Sequence, residues 1–294
     1  MHDYLRAVGF SGVTSGKQLN ELIEYVKDQA DTRVITPVGS DRYFVQLNKY
    51  FTEDVGVSVI GEYDGDYSFY YDHIFPFING RTITYEDSIS IKKQSDKNAY
   101  IGYCDDYNFG STLLFFLLNE SDYVRSCWSN RPNSKNTDIR FSGLSYEGKI
   151  LLGTRKTPEE YVRGKIWNEQ KKRLLSALKK DNEDESLITA YTNWDMANYA
   201  VISKRAVKED VFSIVESSFT PYSVEFDKYS IVGVITSIDL RTNNYSGEKI
   251  WVLTLECNDT KIDVCIGEKD LLGEPMVGRR FKGNIWLQGY VDMM

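Results

Sequence analysis

The sequence predicts an α+β fold with an N-terminal, mostly antiparallel sheet and one helix, a helical middle region, and a C-terminal OB-like β-barrel. Three observations predict it. Apolar and polar residues alternate over most of the first region, which is the period of a half-buried strand. The middle region has apolar residues at helical spacing, and the last region has the order strand, strand, strand, helical turn, strand. We therefore divide the chain into residues 1–155, 156–222 and 223–294.

The first region begins with an amphipathic helix. Ser15 and Gln18 form a capping-box pattern, and apolar residues then recur at helical spacing. Strands are predicted over residues 33–38, 42–47, 56–63, 69–78, 81–91, 98–104 and 111–118. The dipeptide Asn79-Gly80 lies between two apolar runs, which is a strong hairpin signal, so we expect residues 69–78 and 81–91 to pair antiparallel.

The middle region is predicted to be helical. Thr157 is a good N-cap and Pro158 suits the first helical position, and two glutamates follow that face the positive end of the helix. This helix should extend to about Lys180. Shorter helices are predicted over residues 185–191, 194–203 and 208–217.

The C-terminal region is predicted to close into a small barrel. A strand rich in β-branched residues over 231–238 precedes a hairpin in which Asn258 and Asp259 are the two turn residues. This turn pairs Glu256 with Lys261, Leu255 with Ile262, Leu253 with Val264, and Trp251 with Ile266. The large apolar side chains then share one face. Cys257 lies on that face and Cys265 on the opposite one, so the two should not form a disulfide.

Composition and charge argue against several classes of protein. The chain has 294 residues, a formal net charge of -8 and a pI near 5.0. Binding of nucleic acid through its phosphates needs a basic stripe, and no segment supplies one. We see no signal peptide, and no apolar run is long enough to span a membrane. The four cysteines are dispersed without CxxC spacing, so we expect a reduced, metal-free, cytoplasmic protein.

The usual sequence motifs of catalysis are absent. The chain has no G-x-S-x-G elbow, no G-x-x-x-x-G-K-[ST] loop, no G-x-G-x-x-G turn and no H-E-x-x-H helix. Of the two histidines, His2 is terminal and His73 lies in an aromatic strand, where we interpret it as an ordinary half-buried side chain. These observations favour a protein that is not an enzyme, and no cofactor is predicted.

One face of the closing strand is the candidate binding surface. Arg280, Lys282, Trp286 and Tyr290 alternate with the apolar residues of that strand and combine positive charge with aromatic rings. Such a combination is typical of surfaces that stack single-stranded nucleic acid. The interpretation that we favour is that these side chains pack against the helical region or the first region.

A second candidate is the acidic stretch between two aromatic strands in the first region. Its carboxylates are Glu62, Asp64, Asp66 and Asp72. Paired carboxylates among aromatic rings suit a carbohydrate-active enzyme. A polar hairpin tip on an aromatic strand pair explains the same residues, and we favour the hairpin.

The function favoured by these observations is that of a non-catalytic cytoplasmic binding or interaction protein, with another protein as the partner and no membrane contact. Two alternatives stay open. One is a single-stranded nucleic-acid-binding OB protein, and the other is a carbohydrate-active enzyme that uses the acidic residues of the Tyr-rich hairpin. The oligomeric state stays open too.

Several segments resemble an uncharacterised family of bacterial proteins from Clostridia-type Firmicutes. They include HDYLRAVGFS at residues 2–11, FSGLSYEGKIL at 141–151, KEDVFSIV at 208–215 and RFKGNIWLQG at 280–289. The resemblance covers essentially the full chain. The family is a domain of unknown function, so it implies a bacterial cytoplasmic setting but no activity and no site residues.

Overall fold

The structure, a computed structural model, has an α+β fold with about 28% helix and 46% strand. It describes residues 3–66, 68–83, 85–87, 89–94, 99–106, 109, 111–128, 137–154, 158–178, 184–222 and 227–293. The predicted fold class is therefore confirmed at this level.

The helices are α1 (Gly16–Gln29), α2 (Glu120–Trp128), α3 (Pro158–Leu178), α4 (Glu185–Ala206) and α5 (Val211–Ile214), with 3₁₀ turns at Asp3–Val8 and Glu268–Asp270. The strands of the first half are β1 (Thr32–Pro37), β2 (Tyr43–Thr52), β3 (Val55–Tyr63), β4 (Phe69–Ile78), β5 (Tyr85–Asp87), β6 (Ser90–Lys93), β7 (Tyr100–Asp106) and β8 (Ser111–Leu117). Those that follow are β9 (Thr137–Ser145), β10 (Gly148–Leu151), β11 (Ser218–Pro221), β12 (Lys228–Thr242), β13 (Lys249–Cys257), β14 (Thr260–Gly267), β15 (Leu271–Leu272) and β16 (Arg280–Val291).

A four-stranded antiparallel sheet in the order β1-β2-β3-β4 forms the N-terminal part. Helix α1 packs on β2 and β3 and buries Leu22, Ile23 and Val26. Its capping box is present as predicted, with the Ser15 side chain accepting from the Gln18 backbone and the Gln18 side chain accepting from the Ser15 backbone.

The other described strands form one large sheet, and five of them pair in a closed circuit. The circuit runs β12-β13-β14-β9-β16 and returns to β12. We call these five strands the strand ring. Its pairs are antiparallel except for β14 and β9, which run parallel. The predicted division of the chain at residues 155 and 222 stays a prediction, and strand pairing crosses it because β9 and β10 both pair with β16.

The hairpin of β13 and β14 has the predicted register, from Trp251 opposite Ile266 to Glu256 opposite Lys261. Asn258 and Asp259 have φ angles of 51° and 64°. These left-handed angles match the twist of a two-residue hairpin. Cys257 and Cys265 are both free and lie in different hydrophobic cores, as the alternation of the strands requires.

The predicted hairpin at Asn79-Gly80 is wrong. Strand β4 pairs with β3, whereas β5 pairs with β9 and β6 pairs with β7. The chain instead crosses from the four-stranded sheet to the large sheet at this point, where the Arg81 backbone donates to the Asp263 carboxylate at 2.8 Å. A Cβ at position 80 would lie 2.7 Å from the carbonyl oxygen of Phe141. Gly80 therefore permits close backbone approach at the crossing.

The middle region is helical, as expected. Helix α3 begins at Pro158, while the predicted N-cap Thr157 lies outside the described residues. Helix α4 is continuous where two shorter helices were predicted, and the side chain of Asp184 caps its first backbone N–H groups. Trp167 of α3 and Trp194 of α4 are in ring contact, with centroids 5.7 Å apart. No glycine or proline interrupts α4, which explains why the two predicted helices are joined.

Two hydrophobic cores lie on the two sides of the ring strands. The core inside the ring includes Leu253, Leu255, Val264, Phe281 and Leu287. The core between the outer surface of the ring and the four-stranded sheet includes Val252, Cys265, Trp286, Tyr4 and Phe75. The N-terminal part therefore covers the outer surface of the ring at the positions of Val252, Cys265 and Trp286.

Candidate functional site

Arg280 and Lys282, two of the four predicted binding residues, contact the helical region. Arg280 is 3% exposed, and its guanidinium donates to the backbone carbonyls of Leu152, Val215 and Phe212. The Lys282 ammonium lies over the Phe212 ring, 3.7 Å from its centroid. Both cations therefore hold the segment around α5 on β16.

Trp286 and Tyr290 are the other two predicted binding residues. Trp286 is buried and Tyr290 is half-buried, and among the described residues neither contacts the segment around α5 in the way that Arg280 and Lys282 do. Trp286 is 4% exposed, its ring contacts those of Tyr4 and Phe116, and its Nε1 donates to Asp227 at 2.6 Å. Tyr290 is half-buried, with the Arg140 guanidinium over its ring at 5.4 Å. The structure thus does not bring the four predicted residues together on one open surface.

Tyr290 lines a cavity of about 200 Å³ between β1 and β2 on one side and the start of α2 with the end of β16 on the other. Its lining residues are Thr32, Val34, Gln46, Asn48, Tyr50, Phe77, Asn79, Leu118, Asn119, Ser121, Asp122 and Tyr290. Thr32 pairs with Asn48 and Val34 with Gln46, so these four residues share one face of the four-stranded sheet. That face and the end of the large sheet enclose the cavity.

Two buried amide side chains hold the cavity together. Gln46 donates to the carbonyl of Leu118 at 2.7 Å and accepts from the backbone and the hydroxyl of Ser121 at 3.1 and 3.0 Å. Asn119 donates to the carbonyl of Val291 at 2.8 Å and accepts from its N–H at 3.1 Å. Such fully paired buried amides fix the relative positions of β2, α2 and β16.

Other lining residues have hydrogen-bonding atoms that the protein does not use. Within the described part of the chain these atoms include the amide nitrogen of Asn48, the amide oxygen of Asn79, one carboxylate oxygen of Asp122 and the hydroxyl of Tyr290. The remaining polar atoms of the three amide and carboxyl side chains are engaged with Gln46, Tyr50 and Asn119. The cavity therefore presents both donors and acceptors to whatever fills it.

The cavity carries negative charge. Asp122 is the ionised group among its lining residues, and none of them is Lys, Arg or His. Burial, followed by the charges of Asp122 and Asp292, raises the pKa of the Tyr290 phenol. The nearby Arg140 guanidinium is paired with Asp292 at 2.5 Å.

A buried acid–imidazole pair lies on the other side of the same helix start. Glu120, the first residue of α2, has a side chain that is 0% exposed, and its Oε1 lies 3.6 Å from Nε2 of His73. Neither Glu120 oxygen has a hydrogen-bond partner of normal geometry among the described residues. The other ring nitrogen of His73 lies 3.4 Å from the Asp72 carboxylate. The His73 side chain is 23% exposed.

Burial raises the pKa of Glu120, in spite of the opposing effect of His73. Burial of His73 lowers its pKa, but the neighbouring Glu120 and Asp72 carboxylates outweigh burial, so the pKa of His73 is raised. The pair thus retains a proton to higher pH than the two side chains would in water.

The acidic stretch is the tip of the hairpin between β3 and β4. The Asp64 carboxylate accepts from the backbone N–H groups of Asp66 and Ser68 and from the Tyr70 hydroxyl, at 2.9–3.0 Å. The hydrogen bond from Ser68 is the main cause of the lowered pKa of Asp64. Glu62 is paired with Arg42 at 2.9 Å. These two carboxylates are therefore engaged in structural contacts.

Sequence reasoning missed the cavity residues, although two local signals pointed to them. Gln46, Asn48 and Tyr50 form a polar row with period two on a strand that is otherwise mostly apolar. Asn119 and Asp122 have the spacing of an N-cap and its N3 partner at the start of α2. Neither signal predicts that strand β2 and the start of α2 lie side by side. The cavity forms only because they do.

Within the described residues no three His, Cys, Asp or Glu side chains are grouped so that they could hold a metal ion. None of the helices in the described part of the chain has both the length and the apolar character that crossing a bilayer requires.

The fold and the cavity define an α+β protein with a polar cavity between its two sheets. Over residues 5–289 the sequence matches the family described as "Domain of unknown function, E. rectale Gene description (DUF3881)", and the chain belongs to that family. The description names a member of the Clostridia, so the resemblance seen in the sequence is confirmed. No curated protein and no solved structure matches the chain.

Proposed function

We propose that this protein is a non-catalytic binding protein that holds a small polar molecule in the cavity between β2, α2 and β16. The observation that carries the proposal is the set of unused donors and acceptors on Asn48, Asn79, Asp122 and Tyr290. Amide and phenol groups keep their protonation state at neutral pH, so they suit binding through hydrogen bonds. The paired amides of Gln46 and Asn119 make the cavity preformed, which lowers the entropic cost of binding.

We also propose that the strand ring is an OB-like barrel and that its outer surface is one wall of the ligand site. A circuit of five strands, closed by β9 from earlier in the chain, supports this reading. Trp286 and Tyr290 lie on the outer face of β16, with Trp286 against the N-terminal part and Tyr290 at the cavity. The ligand would therefore lie between the outer face of this barrel and the N-terminal part of the chain that covers it.

The alternatives have less support. Stacking of nucleic acid needs exposed rings, and Trp286 is 4% exposed. A carbohydrate cleft needs free carboxylates, whereas Asp64 is engaged in the turn. A protein partner stays a prediction, and exposed apolar side chains on α3 and α4, such as Ile166, Met196 and Tyr199, are where it could be sought.

The proposal is tested by obstructing the cavity. Thr32 is an exposed lining residue, so Thr32→Trp should fill the open end without disturbing the core. Thr242→Trp, at an exposed strand position outside the cavity, is the matched control. Asn48→Phe fills the cavity from within and serves as a second obstruction.

Each protein is screened by thermal shift against three classes of probe at millimolar concentration: aliphatic amines, neutral sugars and polyols, and small carboxylates and phosphate. We expect at least one probe to raise the melting temperature of the wild type and of Thr242→Trp by about 2 °C or more. The shift should be lost in both obstructed variants. A chain that responds to no probe, or that responds equally after obstruction, would rule out ligand binding in this cavity.

A further inference from the structure

Asp122 is a lining residue with a charged side chain. One of its oxygens accepts from the Asn119 amide at 3.1 Å, and it makes no ion pair with any residue that the structure describes. A carboxylate beside a partly enclosed cavity gains most from a positive charge placed in that cavity.

The surroundings of Asp122 leave the cavity net negative. Asp122 is the third residue of α2, where the helix dipole supplies roughly half a positive charge, less than the full charge of the carboxylate. The Arg140 guanidinium, which lies over the Tyr290 ring, is already paired with Asp292. An anionic ligand would meet no free cation among the lining residues and would lose its hydration without compensation.

Aromatic rings complete the environment that a cation prefers. Tyr50, Phe77 and Tyr290 line the cavity, and the rings of Tyr50 and Phe77 meet edge to face with centroids 5.3 Å apart. The electron-rich faces of such rings attract ammonium groups and also cover the methylene groups next to them. The Arg140 guanidinium over Tyr290 shows that this ring already takes a cation on one face.

The size and the amide groups limit the ligand further. The cavity volume of about 200 Å³ lies below the range of pockets for drug-sized ligands, so the ligand is small. The amide oxygen of Asn79 can accept from an N–H group, and the amide nitrogen of Asn48 can donate to a hydroxyl or carbonyl oxygen. A short amine that also carries one oxygen acceptor matches this pattern.

We infer that the ligand is a small amine-bearing molecule, with Asp122 as the counter-ion of its ammonium group and the rings of Tyr50, Phe77 and Tyr290 around its carbon atoms. This inference rests on the proposed function, since it names the ligand class for the same cavity. It assigns the anchoring role to Asp122.

The test compares probes of equal shape and different charge by calorimetric titration at low ionic strength. Choline is compared with its neutral carbon analogue 3,3-dimethyl-1-butanol, and ethanolamine with ethylene glycol. We expect the cation of a pair to bind at least about tenfold more tightly than its neutral analogue. Asp122→Asn keeps the shape and the contact with Asn119, and it should weaken binding of the cation at least about tenfold. Asp28→Asn, at an exposed position of α1, is the control and should change nothing.

The outcomes separate the inference from the proposed function. If a neutral or anionic probe binds as well as the amines, or if Asp122→Asn binds the amine normally, the ligand class is wrong. The proposed function then stands as long as Thr32→Trp still abolishes binding. If no probe of any class binds the wild type, the inference and the proposed function fall together.

Discussion

Two carboxylates in the first turn of α2 have opposite surroundings. Glu120 is completely buried beside His73, whereas Asp122 lines the cavity and contacts the Asn119 amide. They are two positions apart in the chain, which places them about 200° apart around a helix. Similar side chains from one turn therefore face a buried site beside His73 and a polar cavity.

This difference teaches that neighbours, and not residue type, decide what a carboxylate does. A buried carboxylate without hydrogen bonds keeps a proton or takes a charged partner, because an isolated buried charge is costly. The buried Glu120 carboxyl lies beside His73, and we expect this pair to affect the stability of the fold. Asp122 has one oxygen open to the cavity and makes no ion pair with the residues that the structure describes, so its charge is available to a ligand.

The largest expected effect comes from Gln46, whose hydrogen bonds hold the start of α2 and with it both Glu120 and Asp122. Gln46→Ala removes the bonds to Leu118 and Ser121 and leaves their buried backbone groups unpaired. We expect the free energy of unfolding to fall by about 3 kcal/mol, measured by urea denaturation. Asn48→Ala, two residues along the same strand, should cost less than about 1 kcal/mol. Equal losses of stability in the two variants would show that the Gln46 amide does not hold the start of α2 in place.

The second-largest expected effect is the pH dependence of the free energy of unfolding that the Glu120–His73 pair causes. The folded pKa of Glu120 lies above its ordinary value of 4.5 and that of His73 above 6.5. A raised folded pKa adds stability that is complete below the unfolded pKa and is lost as pH rises through the folded pKa. Both groups therefore make the protein less stable as pH rises, first above 4.5 for Glu120 and then above 6.5 for His73.

We expect urea denaturation between about pH 5 and pH 8 to show this fall, with a slope of up to about 1.4 kcal/mol per pH unit for one proton. Glu120→Gln keeps the shape of the side chain and removes its titration, so its profile should be flatter. A Glu120→Gln profile that runs parallel to the wild type would assign the pH dependence to other groups.

The smallest expected effect is on the Asp122 side. Asp122→Asn should change the free energy of unfolding by less than about 1 kcal/mol, because the asparagine oxygen can still accept from Asn119. Its stability profile between about pH 5 and pH 8 should keep the slope of the wild type, since that slope belongs to Glu120 and His73. The same urea series measures both. A destabilisation as large as that of Gln46→Ala would make Asp122 a structural residue.

Two turns show how far the sequence could predict the fold. Asn258-Asp259 and Asn79-Gly80 carry the same hairpin signal, and the first prediction is confirmed while the second is wrong. The first turn joins strands that pair with each other, so adjacent residues decide its register. At the second, the Arg81 backbone donates to the carboxylate of Asp263, and Gly80 lets the chain pass close to the carbonyl of Phe141 in the large sheet. Those partners lie far away in the sequence, and a local signal does not include them.

By itself, the sequence determined the α+β class, the capped helix α1, the register of β13 with β14, and the family, because each depends on residues close together in the chain. Only the tertiary structure decided that β9 closes the strand ring, that Trp286 is covered, and that Asp122 lines a cavity with Tyr290. The bonds that build this cavity join distant residues, such as Asn119 and Val291, 172 positions apart. Their meeting depends on how two sheets pack, which alternation and spacing along one strand do not specify.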